Sequence, residues 1–436
     1  MSEFLLFCFY FFFFLFIIRK HPFFLLDAIP KYWQYALFVT KILVGFLLYF
    51  IYTKYYPARE TADIFKYFDD SKIIAEAFWH NPKDFFQLVF LKAPETDYFF
   101  VNYYEKMNHW AHLHHSTIYG DSTFMIRINA LLNILSLGNF HIHSLWFTMF
   151  SYTGLTAIYK GSISYFKKQK FVVLLLIFCM PSVLFWSSSL LKESLVLLLV
   201  GFIYLLLTKL KHQTKFIIHF SIISLLLFFL VLLKFYLVVA IIIPLVAFIT
   251  STFLPKVSPF LIYPTVGIVF LVLFFNLPIT STQNLLDILV LKQKDFIALA
   301  QQNNAGSYFP IPILEPNFYN ILKNTPTAIL NSFVQPIPST TIKLMAIPAI
   351  AENTILLFGL FSILKLVIKK EKWGDISTQN WLLFLITFTL CLYTIIGLTT
   401  PIAGALVRYK VAVLPFLTLF IFYFIQKTSW YNQIIK

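Results

Sequence analysis

Long apolar runs separated by short basic connectors dominate the chain. A membrane-crossing helix needs about 20 predominantly apolar residues. By that measure candidate spans fall at 3–18, 33–52, 140–159, 171–187, 190–208, 216–233, 235–253, 259–276, 346–367, 380–398 and 405–425. Basic residues cluster after the odd-numbered runs: Arg19, Lys20 and Lys31; Lys160, Lys167, Lys168 and Lys170; Lys209, Lys211 and Lys215; Lys256; Lys369, Lys370 and Lys372; Lys427 and Lys436. The positive-inside rule makes these connectors cytoplasmic, with the N-terminus outside and the C-terminus inside. The pattern predicts an all-α integral membrane protein of about eleven spans.

Five regions follow from this pattern. Residues 1–52 carry the first two membrane helices, and 53–139 form an outer loop. Residues 140–276 hold six spans, 277–345 form a second outer loop, and 346–436 hold the last three spans. Within the loops, amphipathic patterns predict interfacial helices near 61–79, 122–136 and 284–300. In the first of these, Ile64, Phe68, Ala75 and Phe78 form an apolar stripe, while Asp63, Lys66 and Asp70 share another face. In the second, Phe124, Ile128, Leu131, Leu132 and Leu135 form the stripe, and Arg127 interrupts it.

Composition supports the membrane assignment. The chain is 59% hydrophobic and only 12% charged, against about 25% charged in soluble domains. The formal charge of +15 resides in the connectors, which excludes nucleic acid as the reason for it. Cys8, Cys179 and Cys391 lie inside apolar runs and suggest no disulfide framework. The first run lacks a basic n-region and a cleavage site, and its positive charges follow it, so it reads as an anchor rather than a signal peptide.

Acid is concentrated. Of 19 acidic residues, ten lie in the first outer loop: Glu60, Asp63, Asp69, Asp70, Glu76, Asp84, Glu95, Asp97, Glu105 and Asp121. On a helix, Asp63 and Asp70 would stand about 10 Å apart along the axis, too far to share a proton. Either could act alone as a base beside a membrane-bound substrate. Further charge stands at the predicted outer ends of distant spans: Lys192 and Glu193 in "SSSLLKES", Lys234, Glu352 and Asn353 in "AIAENT", Arg408 and Lys410 in "ALVRYK". Charges within a span are costly and face the bundle or a wet cavity. Lys192, Arg408 and Lys410 suit a phosphate or diphosphate; taken singly, each is equally a snorkelling anchor. In "YYEKMNHWAHLHHS", a helix would put Glu105, His109 and His112 on one face, a geometry open to zinc, although no HExxH is present. "FDDS" could hold a divalent cation beside a diphosphate; no residue is assigned as a metal ligand, and the sequence leaves any cofactor open. Glycine-rich phosphate loops are absent.

A membrane helix leading into a large outer loop with an early aspartate resembles the C-type (GT-C) glycosyltransferases. The matching stretch is Asp63-x-x-x-Tyr67 followed by Asp69-Asp70. The same spacing resembles EpsG- and Wzy-like polysaccharide polymerases, and "FWSSSLLKESLVLL" and "VRYKVAVLPFLTLF" look like segments of bacterial membrane proteins grouped with them. The run at 3–18 is an addition to the usual GT-C plan. The resemblance implies a cell-envelope glycosyltransferase in the bacterial cytoplasmic membrane. It would take a polyprenyl-phosphate-linked sugar donor and pass the sugar to a glycan or lipid-linked acceptor at the outer face. It implies Asp63 as base, with Asp70 second, and Lys192 and Arg408 on the departing phosphate, aided by Lys410, Arg127 and Tyr67. A polymerase using polyprenyl-diphosphate oligosaccharides is the nearest alternative. A transporter or flippase, or a non-catalytic assembly subunit, are the others.

Overall fold

The computed structural model describes residues 3–26, 29–55, 59, 62–92, 94–110, 121–166, 168–210, 216–276, 284–302, 304–337, 344–428, 431 and 433. Among these there is no strand, only one isolated antiparallel bridge between Tyr308 and Ile402. The helices in chain order are α1 (Glu3–Lys20), α2 (Lys31–Tyr55), α3 (Asp63–His80), α4 (Pro82–Phe90), α5 (Asp97–Asn102), α6 (Asp121–Ser136), α7 (Phe140–Ser162), α8 (Lys170–Phe178) and α9 (Pro181–Trp186). There follow α10 (Lys192–Thr208), α11 (Phe216–Phe253), α12 (Pro259–Asn276), α13 (Leu285–Gln302), α14 (Phe318–Val334), α15 (Ile347–Ile368), α16 (Ile376–Thr399), α17 (Ala403–Lys410) and α18 (Leu414–Ile425).

Each predicted apolar run is helical, but fewer helices than eleven are long and apolar enough to cross a membrane. Among the described residues four qualify, within α2, α11, α15 and α16, and a fifth if α17 and α18 count as one span bent by 67°. The shortfall has local causes. α1 carries Glu3, Arg19 and Lys20 at its ends. The run predicted at 171–187 is cut before Pro181 into helices of 9 and 6 residues; proline cannot supply the N–H that a continuing helix needs. α10 is 17 residues long. His141, His143, Ser144, Thr148 and Ser151 dilute α7. α11 has 38 residues, which would extend about 57 Å if straight, nearly twice a hydrocarbon core of about 30 Å. Its backbone breaks at Lys234 (φ −157°, ψ 89°), the position that separates the predicted spans 216–233 and 235–253.

The chain divides into two compact units. The first comprises residues 1–157, 184–202 and 226–234. Here helix crosses helix at backbone distance: a Cβ on Gly154 would lie 2.2 Å from the Leu197 carbonyl oxygen, and one on Gly201 2.2 Å from that of Gly154. Small residues permit this approach where side-chain burial drives little association in lipid. α3 buries Ile64, Phe65, Tyr67, Phe68 and Ile74. It packs on α4 and α6, and the Phe65 ring lies 5.6 Å from that of Tyr49 on α2 and 5.1 Å from that of Phe140 on α7.

α6 turns polar residues inward and leaves part of its apolar stripe exposed. Leu131 and Leu135 are exposed, whereas Asn129 and Asn133 are buried. The reason is a polar network. His143 bonds the Asn129 amide oxygen (3.0 Å) and the Ser136 hydroxyl (2.7 Å), and the Asn133 amide donates to the Ser71 hydroxyl (2.7 Å). Once buried, such groups need one another.

The second unit comprises residues 158–183, 203–225 and 235–436. α16 is its axis. Capped at Asp375, whose carboxylate accepts from the Thr378 N–H, it packs on α12, α13, α14 and α18. Gly397 lets α14 close in, since a Cβ there would meet the Ala328 carbonyl oxygen at 2.1 Å. Trp381 of α16 is fully buried and donates to the Tyr204 hydroxyl (2.6 Å), stacking on Tyr165 at 4.0 Å between ring centroids.

Candidate functional site

In the first unit, α3 begins at Asp63, where the N-terminal dipole favours an acid. Asp63 forms an ion pair with Lys66 one turn on. The ammonium of Lys66 lies 5.6 Å from the Tyr67 ring centroid, and that of Lys192 lies 5.1 Å from the same ring. Tyr67 and Lys192 are buried. Three predicted site residues, Asp63, Tyr67 and Lys192, thus occupy one neighbourhood, joined by Lys66.

Lys192 owes its position to an interrupted helix. Residues 187–191 separate α9 from α10 and are not helical. Consecutive serines weaken a helix because their hydroxyls compete for backbone groups. The opened backbone is satisfied from α7 and α10: Ser151 donates to the Ser187 carbonyl (2.6 Å), Thr148 to that of Ser188 (2.9 Å), and Ser194 to those of Ser187 and Ser189 (3.1 and 3.0 Å). Gly45 of α2 makes room, since a Cβ there would lie 2.3 Å from the Ser188 oxygen. Irregular backbone at membrane depth is tolerated only when enclosed in this manner.

Three more charged residues flank the break. Lys41, wholly buried on α2, donates to the Ser187 hydroxyl at 2.7 Å. Glu193 and Lys234 form a buried ion pair of 2.6 Å, so the broken turn of α11 meets the first turn of α10. Sequence reasoning passed over Lys41. Its one signal is a lone lysine inside an otherwise apolar run, which in a membrane helix faces protein rather than lipid.

The remaining loop residues are committed to holding the loop together. Asp69 pairs with Arg59 through both oxygens (2.7 and 2.9 Å). Asp70 does not face solvent with Asp63: it is 2% exposed and accepts the backbone N–H groups of Asn108 (3.1 Å) and His109 (2.7 Å). Burial raises its pKa, opposed by those two N–H groups and by the nearby His109 ring. Arg127 donates to the Leu91 carbonyl (2.7 Å) and lies 5.6 Å from the Trp110 ring centroid; burial lowers its pKa. Asp84 is a second buried acid, with the amide of Asn81 and the phenols of Tyr98 and Tyr103 all on one oxygen at 2.7–2.8 Å. Burial, then Asp84, raises the Tyr103 pKa.

The helix expected to align Glu105, His109 and His112 does not form over its described part. Tyr104–Lys106 is a short 3-10 turn and residues 108–110 bend. His112 and Glu60 lie outside the described residues. Among the described residues no three His, Cys, Asp or Glu side chains gather as a metal site would require, and Asp69 and Asp70 turn to different partners.

In the second unit, two of the predicted outer ends meet. Lys410 of α17, 1% exposed, donates to the Gln335 carbonyl (2.9 Å) and the Asn353 amide oxygen (3.1 Å). The Asn353 amide donates to the Gln335 carbonyl (2.8 Å). Glu352, also buried, accepts the Ser182 N–H at the start of α9 (2.8 Å). The run predicted at 405–425 is not straight, so Arg408 and Lys410 end the short arm of a bent pair. Arg408 is half-buried. It belongs to the second unit and Lys192 to the first. No protein-family model, curated protein or solved structure matches the chain.

Proposed function

We propose that the chain is a multi-pass transferase of the bacterial cytoplasmic membrane that moves a sugar from a polyprenyl-phosphate donor to an acceptor at the outer face. The observation that carries this reading is the neighbourhood of Asp63, Lys66, Tyr67 and Lys192, with an acid, two cations and a phenol where the outer loop meets a membrane helix. Asp63 takes the acceptor's proton, Lys66 pairs with Asp63, and Lys192 receives the phosphate that departs as the acceptor oxygen bonds the sugar. Asp70 is the weaker candidate base, because its two oxygens accept backbone N–H groups. Under this reading the eleven apolar helical runs lie in or across the bilayer, with 53–139 and 277–345 outside.

A transporter is the second reading, and the interrupted helices favour it. α9–α10 and α11 both break next to the buried Glu193–Lys234 pair, as discontinuous helices do around transporter sites. The purified protein in sealed lipid vesicles separates the two. With a polyprenyl-phosphate sugar and a glycan acceptor, Asp63→Asn should abolish transfer and leave donor binding within about twofold, while Lys192→Gln should weaken donor binding at least tenfold, about 1.4 kcal/mol. An Asp63→Asn protein that keeps most of its transfer activity sinks the base assignment. Wild-type protein that moves the lipid-linked sugar across the bilayer without transfer selects the transporter.

A further inference from the structure

The outer loop carries an apolar face that no part of the transfer scheme uses. Trp79 at the end of α3, Phe86 and Phe90 on α4, and Phe100 and Val101 on α5 are 67, 61, 54, 49 and 57% exposed. The Phe86 and Phe90 rings lie 4.9 Å apart, so the outward side of α4 is a continuous aromatic strip. Its inward side is already filled by Asp84, Phe85, Leu88 and Val89. Five large apolar side chains in water within about twenty residues mark an interaction surface.

We infer that this face of α4 and α5 inserts into the headgroup–acyl boundary of the bilayer. Tethering brings the bilayer to it. Phe65, near the start of α3, packs on Tyr49 in the last turns of α2, a helix that qualifies as a membrane span. α6 ties the far end of this region to a second apolar span: Phe124 stacks on Phe229 of α11 at 6.2 Å between ring centroids, and Arg127 donates to the Leu91 carbonyl at the end of α4. Rings with one polar edge, Trp79 and Tyr98, suit the same boundary. A glycan is the poorer occupant: the acid beside the strip, Asp84, already takes three donors on one oxygen. The surrounding charge is mixed, with Lys83 and Lys92 against Glu95 and Asp97, and Lys92 pairs with Glu95 at 3.7 Å. Insertion is therefore driven by the rings and is indifferent to anionic lipid. The inference rests on the membrane assignment alone, so it survives or fails independently of the transfer chemistry.

The test uses the full chain in lipid discs, with Cys8, Cys179 and Cys391 replaced by alanine. A polarity-sensitive fluorophore is attached to Phe86→Cys, to Phe90→Cys or, on a separate helix, to Phe100→Cys. All three positions are exposed, so the core is untouched. In discs of zwitterionic lipid, emission should shift to the blue and be quenched by lipids bearing a nitroxide just below the headgroup. Added anionic lipid should change neither result. Water-like, unquenched emission at all three positions overturns the inference. So does a blue shift that lipid nitroxides leave unquenched while two copies cross-link through the same cysteines, which would assign the face to a second copy of the chain.

Discussion

Lys234 and Lys410 are both buried lysines at breaks in apolar helices, one in each unit, and they are held by different means. Lys234 faces a full opposite charge, Glu193, at 2.6 Å. Lys410 faces dipoles, the Gln335 carbonyl and the Asn353 amide oxygen, while the nearest acid, Glu352, spends an oxygen on the Ser182 N–H. A paired charge gains most of its stabilisation from a single partner. A charge spread over neutral acceptors loses only a part when any one is removed.

The largest expected effect tests the paired arrangement. Glu193→Ala removes the carboxylate that Lys234 meets at 2.6 Å and should cost about 3–5 kcal/mol, read by reversible unfolding in mixed micelles. The double variant Glu193→Leu, Lys234→Met removes both charges and should recover most of that loss. A double variant no better than Glu193→Ala would mean that the pair does more than neutralise itself, and the contrast with Lys410 would lose its basis.

The dispersed arrangement should respond less. Asn353→Ala removes one of two acceptors from Lys410 and should cost about 1–2 kcal/mol. Lys410→Met leaves the Asn353 amide oxygen without its ammonium donor, while the Gln335 carbonyl keeps the Asn353 N–H, and should cost about 1–3 kcal/mol. If Asn353→Ala proved as damaging as Glu193→Ala, Lys410 would depend on one partner after all.

The two clusters also differ in how far the sequence announced them. Glu352, Asn353 and Lys410 are polar residues at the ends of apolar runs, and the runs themselves are legible because length and apolarity are local properties. The boundaries of α3, α6 and α13 follow from local amphipathic patterns for the same reason. The first unit's site was half hidden. Lys192 stood out at the head of a run, and the serines before it fell at the gap between the runs predicted at 171–187 and 190–208, but Lys41 was submerged inside a run. The polar face of α6 was lost for a further reason. Asn129 is buried only because His143 arrives from another helix, and a stripe of leucines on the opposite side gives the stronger pattern. Span count failed where a helix could be interrupted without losing hydrophobicity, at Cys179–Met180 and at Val411–Val413.

Asp70 offers the finest test, because two backbone N–H groups hold its oxygens, with the His109 ring 3.8 Å from one of them. Its partners, the N–H groups of Asn108 and His109, lie 38 and 39 residues further along, so nothing near it in sequence foretold its burial. Burial is the largest influence and raises its pKa above the ordinary carboxylate value. A raised folded pKa means that the folded state binds the proton more tightly than the unfolded chain. The resulting stability is fully present below the unfolded carboxylate pKa, and it is lost as pH climbs through the raised folded value. Asp70→Asn cannot titrate and keeps one of the two acceptors, so it should cost about 1–2 kcal/mol in acid and progressively less as pH rises through that window. Unfolding of the two proteins across the acidic range, with amide exchange at Asn108 and His109 as a local reading, measures the difference. A gap that widens toward neutral pH would show that the two N–H groups outweigh burial, and Asp70 would then resemble Lys234 more than Lys410, stabilised chiefly as an ion.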